Sequence, residues 1–507
     1  MYDSNHLAGR LRAASITADT APFLYNHATG LTDRYCDTFA KAEKMAAALV
    51  ALGVHPGDRV AVQAPKTVAM VELYLGVVLA GAVFLPLNTA YTGAELRYFL
   101  EDAAPRVLVC DPSRAPALRE IAAECSVAHV VTIAADETGS LPDLRDAQPA
   151  GFDAVPRRGD DLAAILYTSG TTGRSKGAML THAALASNAE TLANYWRFQA
   201  DDVLIHALPI FHTHGLFVAL NVTMMAGSSC IFMAGFDADA ILDYMPRSSV
   251  LMGVPTFYVR LWEKDGLAEA ARSMRLFVSG SAPLLAETHH RWNTLTGHAI
   301  LERYGMTETN MNTSNPYDAE RRPGTVGFPL PGVEVVVTDP KTGERLPQDE
   351  IGALEVRGPN VFAGYWHMPE KTAAELRENG FFITGDLGKV DADGYVHIVG
   401  RDKDLIISGG YNIYPKEIEL MIDDLPGVSE SAVIGAPHPD FGEAVVAVVV
   451  AQAGSSVTPA AILDGVRQDL ARFKQPKKVF VVPELPRNTM GKVQKKALRD
   501  TYADLFM

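Results

Sequence analysis

The stretch Thr168-Ser169-Gly170-Thr171-Thr172-Gly173-Arg174-Ser175-Lys176-Gly177 crowds hydroxyls, glycines and one lysine together. Glycine lets a backbone turn tightly and bring its N–H groups close to an anion. The hydroxyls of Thr168, Ser169, Thr171 and Thr172 add donors, and Lys176 adds a point charge. That is chemistry for a polyphosphate. The glycine spacing and the lack of a GK[ST] ending separate it from the usual P-loop. A polar surface turn is the bland alternative, and the density of donors weighs against it.

Further stretches carry groups of the same kind. In Tyr304-Gly305-Met306-Thr307-Glu308 a carboxylate stands beside a hydroxyl, which offers hard oxygen ligands for magnesium. A helix N-cap would use the same two residues, and the pattern alone leaves both open. Asp386 in Thr384-Gly385-Asp386 is a sugar-binding carboxylate or a turn residue. Lys492 closes the Pro/Asn/Gly turn Pro486-Arg487-Asn488-Thr489-Met490-Gly491-Lys492, unlike Lys495, Lys496 and Arg499, which suit a solvated face.

These groups need a frame that holds several loops side by side. Residues 161–166, 59–64, 82–86, 104–110, 202–208, 249–253, 275–279 and 299–303 read as strands, and residues 35–53 and 182–195 as helices. Another helix runs to Asp102, with Thr92 and Glu95 spaced as a capping box at its start. Strands alternating with helices predict an α/β fold with a parallel sheet covered on both faces. Ligands in such folds sit at the carboxyl ends of strands, where the phosphate loop, residues 212–214, 253–256, 279–283 and 302–308 all fall. From about Gly324 short alternating runs suggest a small β-rich subdomain, and a second change of texture comes near Gly400-Arg401-Asp402-Lys403-Asp404.

At 507 residues the chain is too long for one core, and its net charge of −15 argues against nucleic acid or an anionic membrane as the main partner. Positive charge must therefore be placed locally. Cys36, Cys110, Cys125 and Cys230 lack metal-ligand spacing and suit structural thiols in a reducing cytoplasm. Residues 1–12 lack a signal-peptide pattern, and the apolar run 71–87 is short for a membrane span.

Taken together and in this order, the motifs closely resemble those of the adenylate-forming superfamily of acyl-CoA synthetases, adenylation domains and luciferases, over residues from about 35 to 500. The resemblance implies a large N-terminal domain, 1–400, of two doubly wound sheet subdomains and a small β-barrel-like subdomain. A small mobile α+β domain, 401–507, would follow and rotate about Lys403. It implies ATP, Mg2+ and coenzyme A as substrates and metal. ATP or AMP would be bound by Thr168, Ser169, Gly170, Thr171, Thr172, Gly173 and Lys176, and by Gly280, Ser281 and Ala282 beneath the adenine. Glu302, Arg303, Tyr304, Gly305 and Thr307 would complete that site, with Asp386 and Arg401 on the ribose. Glu308 is the expected magnesium ligand, Lys492 the catalytic lysine, with Thr307 and His212 beside them. Ser408, Gly409, Gly410 and Tyr411 would face the coenzyme A arm.

The acid is read from Pro209-Ile210-Phe211-His212-Thr213-His214-Gly215, where two histidines bracket a small hydroxyl. Imidazoles suit a short polar or anionic acid, although packed structural histidines give the same pattern. Arg260 follows Thr256 by one helical turn, either facing a second substrate carboxylate or lying on the surface. His-Thr-His-Gly-Leu-Phe, Gly-Val-Pro-Thr-Phe-Tyr and Glu-Arg-Tyr-Gly-Met-Thr-Glu-Thr resemble the malonate-activating branch of the family. That resemblance implies malonate or a related small dicarboxylate, methylmalonate included. It would be held by His212, Thr213, His214, Arg260, Ser279 and Met306, with a lysine acetyltransferase acting on Lys492. Alternatives are a ligase for oxalate, acetate or a short fatty acid, a carrier-protein-loading adenylation enzyme, and a catalytically dead binding protein.

Overall fold

A computed structural model describes residues 2–17, 19–168, 175–408, 411–467, 470, 472–488 and 491–506, with 411 and 412 described by backbone alone. The described residues form four sheets.

The first sheet has six strands in the order His129–Thr132, Val107–Cys110, Arg59–Gln63, Val83–Pro86, Leu162–Thr168 and Lys176–Thr181. All pairs are parallel except the last, a hairpin in which Thr168 lies opposite Lys176. The second sheet has nine strands, and Val203–His206, Val250–Gly253, Leu276–Ser279 and Leu301–Met306 run parallel through its middle. Between the two sheets lies the helix Val68–Leu79, every residue of which is buried. Tyr74 of that helix meets Phe84 of the first sheet at 5.4 Å and Phe217 beside the second at 5.9 Å, so one core serves both sheets. Glu72 is buried on the same helix and paired with Lys41 at 3.2 Å and with Arg145.

The capping box holds: Thr92 and Glu95 bond reciprocally at the start of Gly93–Ala103. One expectation changes: the strand expected over 299–303 continues through Tyr304-Gly305-Met306, because those residues pair antiparallel with Asn310–Ser314. One strand was not anticipated: Lys176–Thr181, between the phosphate loop and the helix His182–Tyr195, pairs with Leu162–Thr168, so the loop closes a hairpin.

The β-rich segment is an antiparallel sheet of Glu334–Thr338, Gly352–Arg357, Phe382–Val390 and Val396–Arg401. After the short turn Asp402–Asp404 comes the fourth sheet, built on the long hairpin Val428–His438 and Gly442–Ala451. It has its own apolar clusters around Ile418 and Val433 on one face and Ile434 and Leu498 on the other. No helix among the described residues is long and apolar enough to cross a membrane.

Candidate active site

The phosphate side starts from the hairpin. Ser169 to Arg174 lie outside the described residues; Thr168 and Lys176 close the loop from either end. Lys176 Nζ lies 3.4 Å from Glu375 Oε2 and 4.0 Å from the centroid of the Tyr365 ring. The Tyr365 hydroxyl lies 2.6 Å from Glu375 Oε2 and 3.1 Å from Glu308 Oε1. One O–H donates to one acceptor, so the two carboxylates compete for it. Burial raises Glu308 above the usual carboxylate range, while Lys176 and Tyr365 act to hold it down. Glu308 is reached through the Leu301–Met306 hairpin, where a Cβ on Gly305 would fall 1.9 Å from the Asn310 carbonyl oxygen. Thr307 is half-buried in the turn that follows.

Asp386 and Arg401 occupy a ladder position. Asp386 lies opposite Arg401, receives the Arg401 Nε–H at 2.7 Å and the Tyr304 hydroxyl at 2.5 Å. Asp386 is buried, and so paired on both oxygens. Lys492 projects from a tight turn in which Gly491 takes φ +75° and Asn488 both donates to and accepts from the Lys492 backbone. Enclosure between the lobes, then the Arg401 charge, lowers Lys492 to about 8, with Asp386 opposing. Lys492 is nonetheless exposed, so water screens part of that lowering. Lys403 stands in the Asp402–Asp404 turn beside Arg401 and is likewise lowered, chiefly by desolvation.

The groups around Arg303 differ in kind. Thr213, His214, Ser279 and Arg303 are all buried, and Thr213 Oγ1, His214 Nε2, Ser279 Oγ and Arg303 Nε and Nη2 have no hydrogen-bond partner among the described residues. His214 Nδ1 meets Ser281 Oγ at 3.2 Å, and Ser281 is held at φ +69°. Burial, then Arg303, then Lys492 push His212 down to about 4; burial and Arg303 push His214 well below its ordinary value. Both imidazoles are therefore neutral at physiological pH. Burial lowers Arg303 itself to about 9. A Cβ on Gly280 would lie 2.4 Å from Arg303 Cζ, so that glycine makes room for a guanidinium of this chain rather than only for an adenine. Met306 is half-buried at the end of the same strand as Arg303, and Ala282 is half-buried after Ser281. Glu302 points elsewhere: its carboxyl accepts the Leu284 N–H at 3.0 Å, and burial pushes it up to about 8.

Arg260 is not among these groups. It is exposed on the helix Pro255–Leu261, with its guanidinium 5.6 Å from the Phe236 ring centroid. The one-turn spacing from Thr256 is real, and Thr256 lies 3.8 Å from where a Cβ on Gly491 would be. That face of the helix looks toward the Lys492 turn, where water reaches. Ser408 pairs with Tyr411 in the C-terminal sheet; Gly409 and Gly410 lie outside the described residues. Sequence reasoning missed Tyr365 and Glu375, which nothing local marks, and grouped Arg303 with the nucleotide residues; the structure sets its guanidinium beside Gly280, His212 and His214.

Residues 16–366 match the family model for AMP-binding enzymes, and residues 417–492 that for the AMP-binding enzyme C-terminal domain. The chain belongs to the AMP-binding enzyme family. The malonate–CoA ligase of Arabidopsis thaliana is 35% identical over 476 residues, covering 87% of this chain and 78% of that protein. A feruloyl-CoA synthase of an Amycolatopsis species is 37% identical over 481 residues, covering 93% and 94%. The ATP-bound crystal structure of MatB from Rhodopseudomonas palustris is 58% identical over 99% of this chain and 100% of its own, with a TM-score of 0.97. The apo form of that protein superposes with a TM-score of 0.86.

Proposed function

We propose that this chain joins malonate to coenzyme A at the expense of ATP, through malonyl-adenylate, releasing AMP and pyrophosphate. The carrying observation is the buried Arg303, whose Nε and Nη2 have no partner among the described residues, beside two neutral histidines. An unpartnered buried charge costs several kcal/mol, and a substrate that brings a second carboxylate removes that cost. A neutral aromatic acid, as the name feruloyl-CoA synthase implies for that relative, leaves it in place. The malonate–CoA ligase relatives support the same choice. Methylmalonate is a poorer substrate in this reading, one methyl changing discrimination by about 10–200-fold.

In the first step a malonate carboxylate oxygen attacks the α-phosphorus, and the bond to pyrophosphate breaks. Lys492, beside Asp386 and Arg401, stabilises the charge gathering on the phosphoryl oxygens. Asp386 holds the ribose hydroxyls, and Lys176 leaves Glu375 for the phosphates. Magnesium fits as the nucleotide's companion: Glu308 offers one hard oxygen, and such ions take one or two carboxylates plus phosphate oxygens. Bound there, the ion neutralises phosphate charge. In the second step the coenzyme A sulfur attacks the acyl carbon, AMP leaves and the thiol proton passes to solvent. For that step residues 401–507 turn about Lys403, bringing Ser408, Gly409, Gly410 and Tyr411 to face the coenzyme A arm. Acetylation of Lys492 removes the charge the first step needs. Four free cysteines support a reducing cytoplasmic setting.

The test is pyrophosphate release with a panel of acids, with and without coenzyme A. Malonate-dependent release with thioester formation is expected; release with ferulate or acetate but not malonate overturns the assignment.

A further inference from the structure

Lys66 has no part in that mechanism. It follows the strand Arg59–Gln63 at its carboxyl end, and no carboxylate pairs with it among the described residues. Lys66 is half-buried, with its ammonium turned onto His206 and the Phe232 ring. Its nitrogen lies 2.9 Å from His206 Nδ1, 2.9 Å from the His206 carbonyl oxygen, and 4.4 Å from the Phe232 ring centroid.

An ammonium only donates, so His206 Nδ1 accepts and the ring proton belongs on Nε2. Nε2 lies 2.8 Å from the Gly215 carbonyl oxygen, which only a donor satisfies. A second ring proton would face Lys66; burial and then that charge push His206 well below its ordinary value. Burial also lowers Lys66 to about 7, yet a neutral amine still has two protons for the two His206 atoms. Gly215 has little freedom on its other side, since a Cβ there would fall 2.1 Å from the Pro209 carbonyl oxygen. It is the second residue of the π-helix His214–Leu220, a widened turn of a kind frequent at functional sites.

We propose that Lys66 is a positioning residue for the acid pocket: by fixing the Nε2–H tautomer of His206 it pins the Gly215 carbonyl, and so holds His212, Thr213 and His214 against Ser281 and Arg303. This rests on the malonate pocket described above. It makes a residue of the first sheet set the substrate loop of the second.

Lys66→Met keeps the aliphatic stem and removes the donors. The KM for malonate should rise about 10-fold or more, as small misplacements in a reacting site do, while the KM for ATP changes less than about twofold. His206→Gln carries an amide N–H that needs no tautomer, and in that background Lys66→Met should add nothing. An unchanged malonate KM in Lys66→Met, an equal rise in both KM values, or additive effects in the double variant overturns the proposal. In 15N-imidazole-labelled wild-type protein, the signal lost in His206→Gln should report a bare Nδ1 and a protonated Nε2. The opposite tautomer overturns the proposal whether or not Lys66→Met folds. Wild-type protein without malonate-dependent pyrophosphate release overturns the malonate assignment instead, and the tautomer then still decides the role of Lys66.

Discussion

The two halves of the cleft handle charge in opposite ways. On the nucleotide side the described cations and Asp386 are paired within the chain, while Glu308 and Glu375 share one hydroxyl. Lys176 rests on Glu375 and Tyr365, and Asp386 on Arg401 and Tyr304. Glu375 keeps a second cation, Lys371 at 2.7 Å, so it stays compensated when Lys176 leaves. On the acid side Arg303, His214, Thr213 and Ser279 keep polar atoms that no described residue satisfies. Paired groups exchange one partner for another when ligand binds, which favours turnover over tight selection. Unpaired buried groups penalise every ligand that fails to complete them, which is how a site rejects the wrong molecule.

Lys492 lies between the halves, and its removal is the largest test. Lys492→Ala should cut adenylation by roughly 3–4 kcal/mol, two to three decades. Conversion of supplied malonyl-adenylate to thioester should persist; equal loss in both half-reactions would break the division of labour. Next, Arg303→Met should lower kcat/KM for malonate by roughly 2–3 kcal/mol, the worth of charged hydrogen bonds, without harming acetate. Urea unfolding of the same variant should show unchanged or greater stability, by up to roughly 4 kcal/mol, because a buried charge is gone. A destabilised Arg303→Met would make this arginine a structural residue and erase the contrast. On the paired side, Asp386→Asn should raise the KM for ATP about tenfold, roughly 1.5 kcal/mol, leaving the malonate KM nearly unchanged.

Titration separates the halves again. A lysine lowered to about 8 is charged below that pH and neutral above it. The kcat/KM for adenylation should therefore fall as pH rises through about 8, to about a tenth by pH 9, as free-enzyme profiles report. Thioester formation from supplied adenylate should lack that limb, and a limb shared by both steps would reassign the titrating group. Smallest of all, Arg260→Ala should cost malonate about 1 kcal/mol or less, the worth of an exposed charge. A loss matching Arg303→Met would return Arg260 to the pocket.

Much of this arrangement was legible in the chain. Glycine, hydroxyl and charge spacing marked the loops at the strand ends, and the Thr92–Glu95 signature placed a helix start where the backbone has one. What escaped was orientation. Helical spacing puts Arg260 on the face of Thr256 but does not say that the face meets water. Adjacency in Glu302-Arg303-Tyr304 grouped three residues whose side chains alternate between faces of one strand, so each finds a different neighbour. The partners of Lys176 lie about two hundred residues away, and only the folded chain brings Glu375 and Tyr365 to it. The strand Lys176–Thr181 was lost because it merges without punctuation into the helix His182–Tyr195.

The 2.4 Å left between Arg303 and an imagined methyl on Gly280 also bears on ancestry. Position 280 cannot gain a side chain while the guanidinium stays, and the guanidinium cannot be traded for a bulkier group while its niche is shaped to fit it. A lineage drifting toward apolar acids can lose the guanidinium in one step, and only then is position 280 free to gain a side chain. Epistasis of this sort sets the order of the steps rather than barring them.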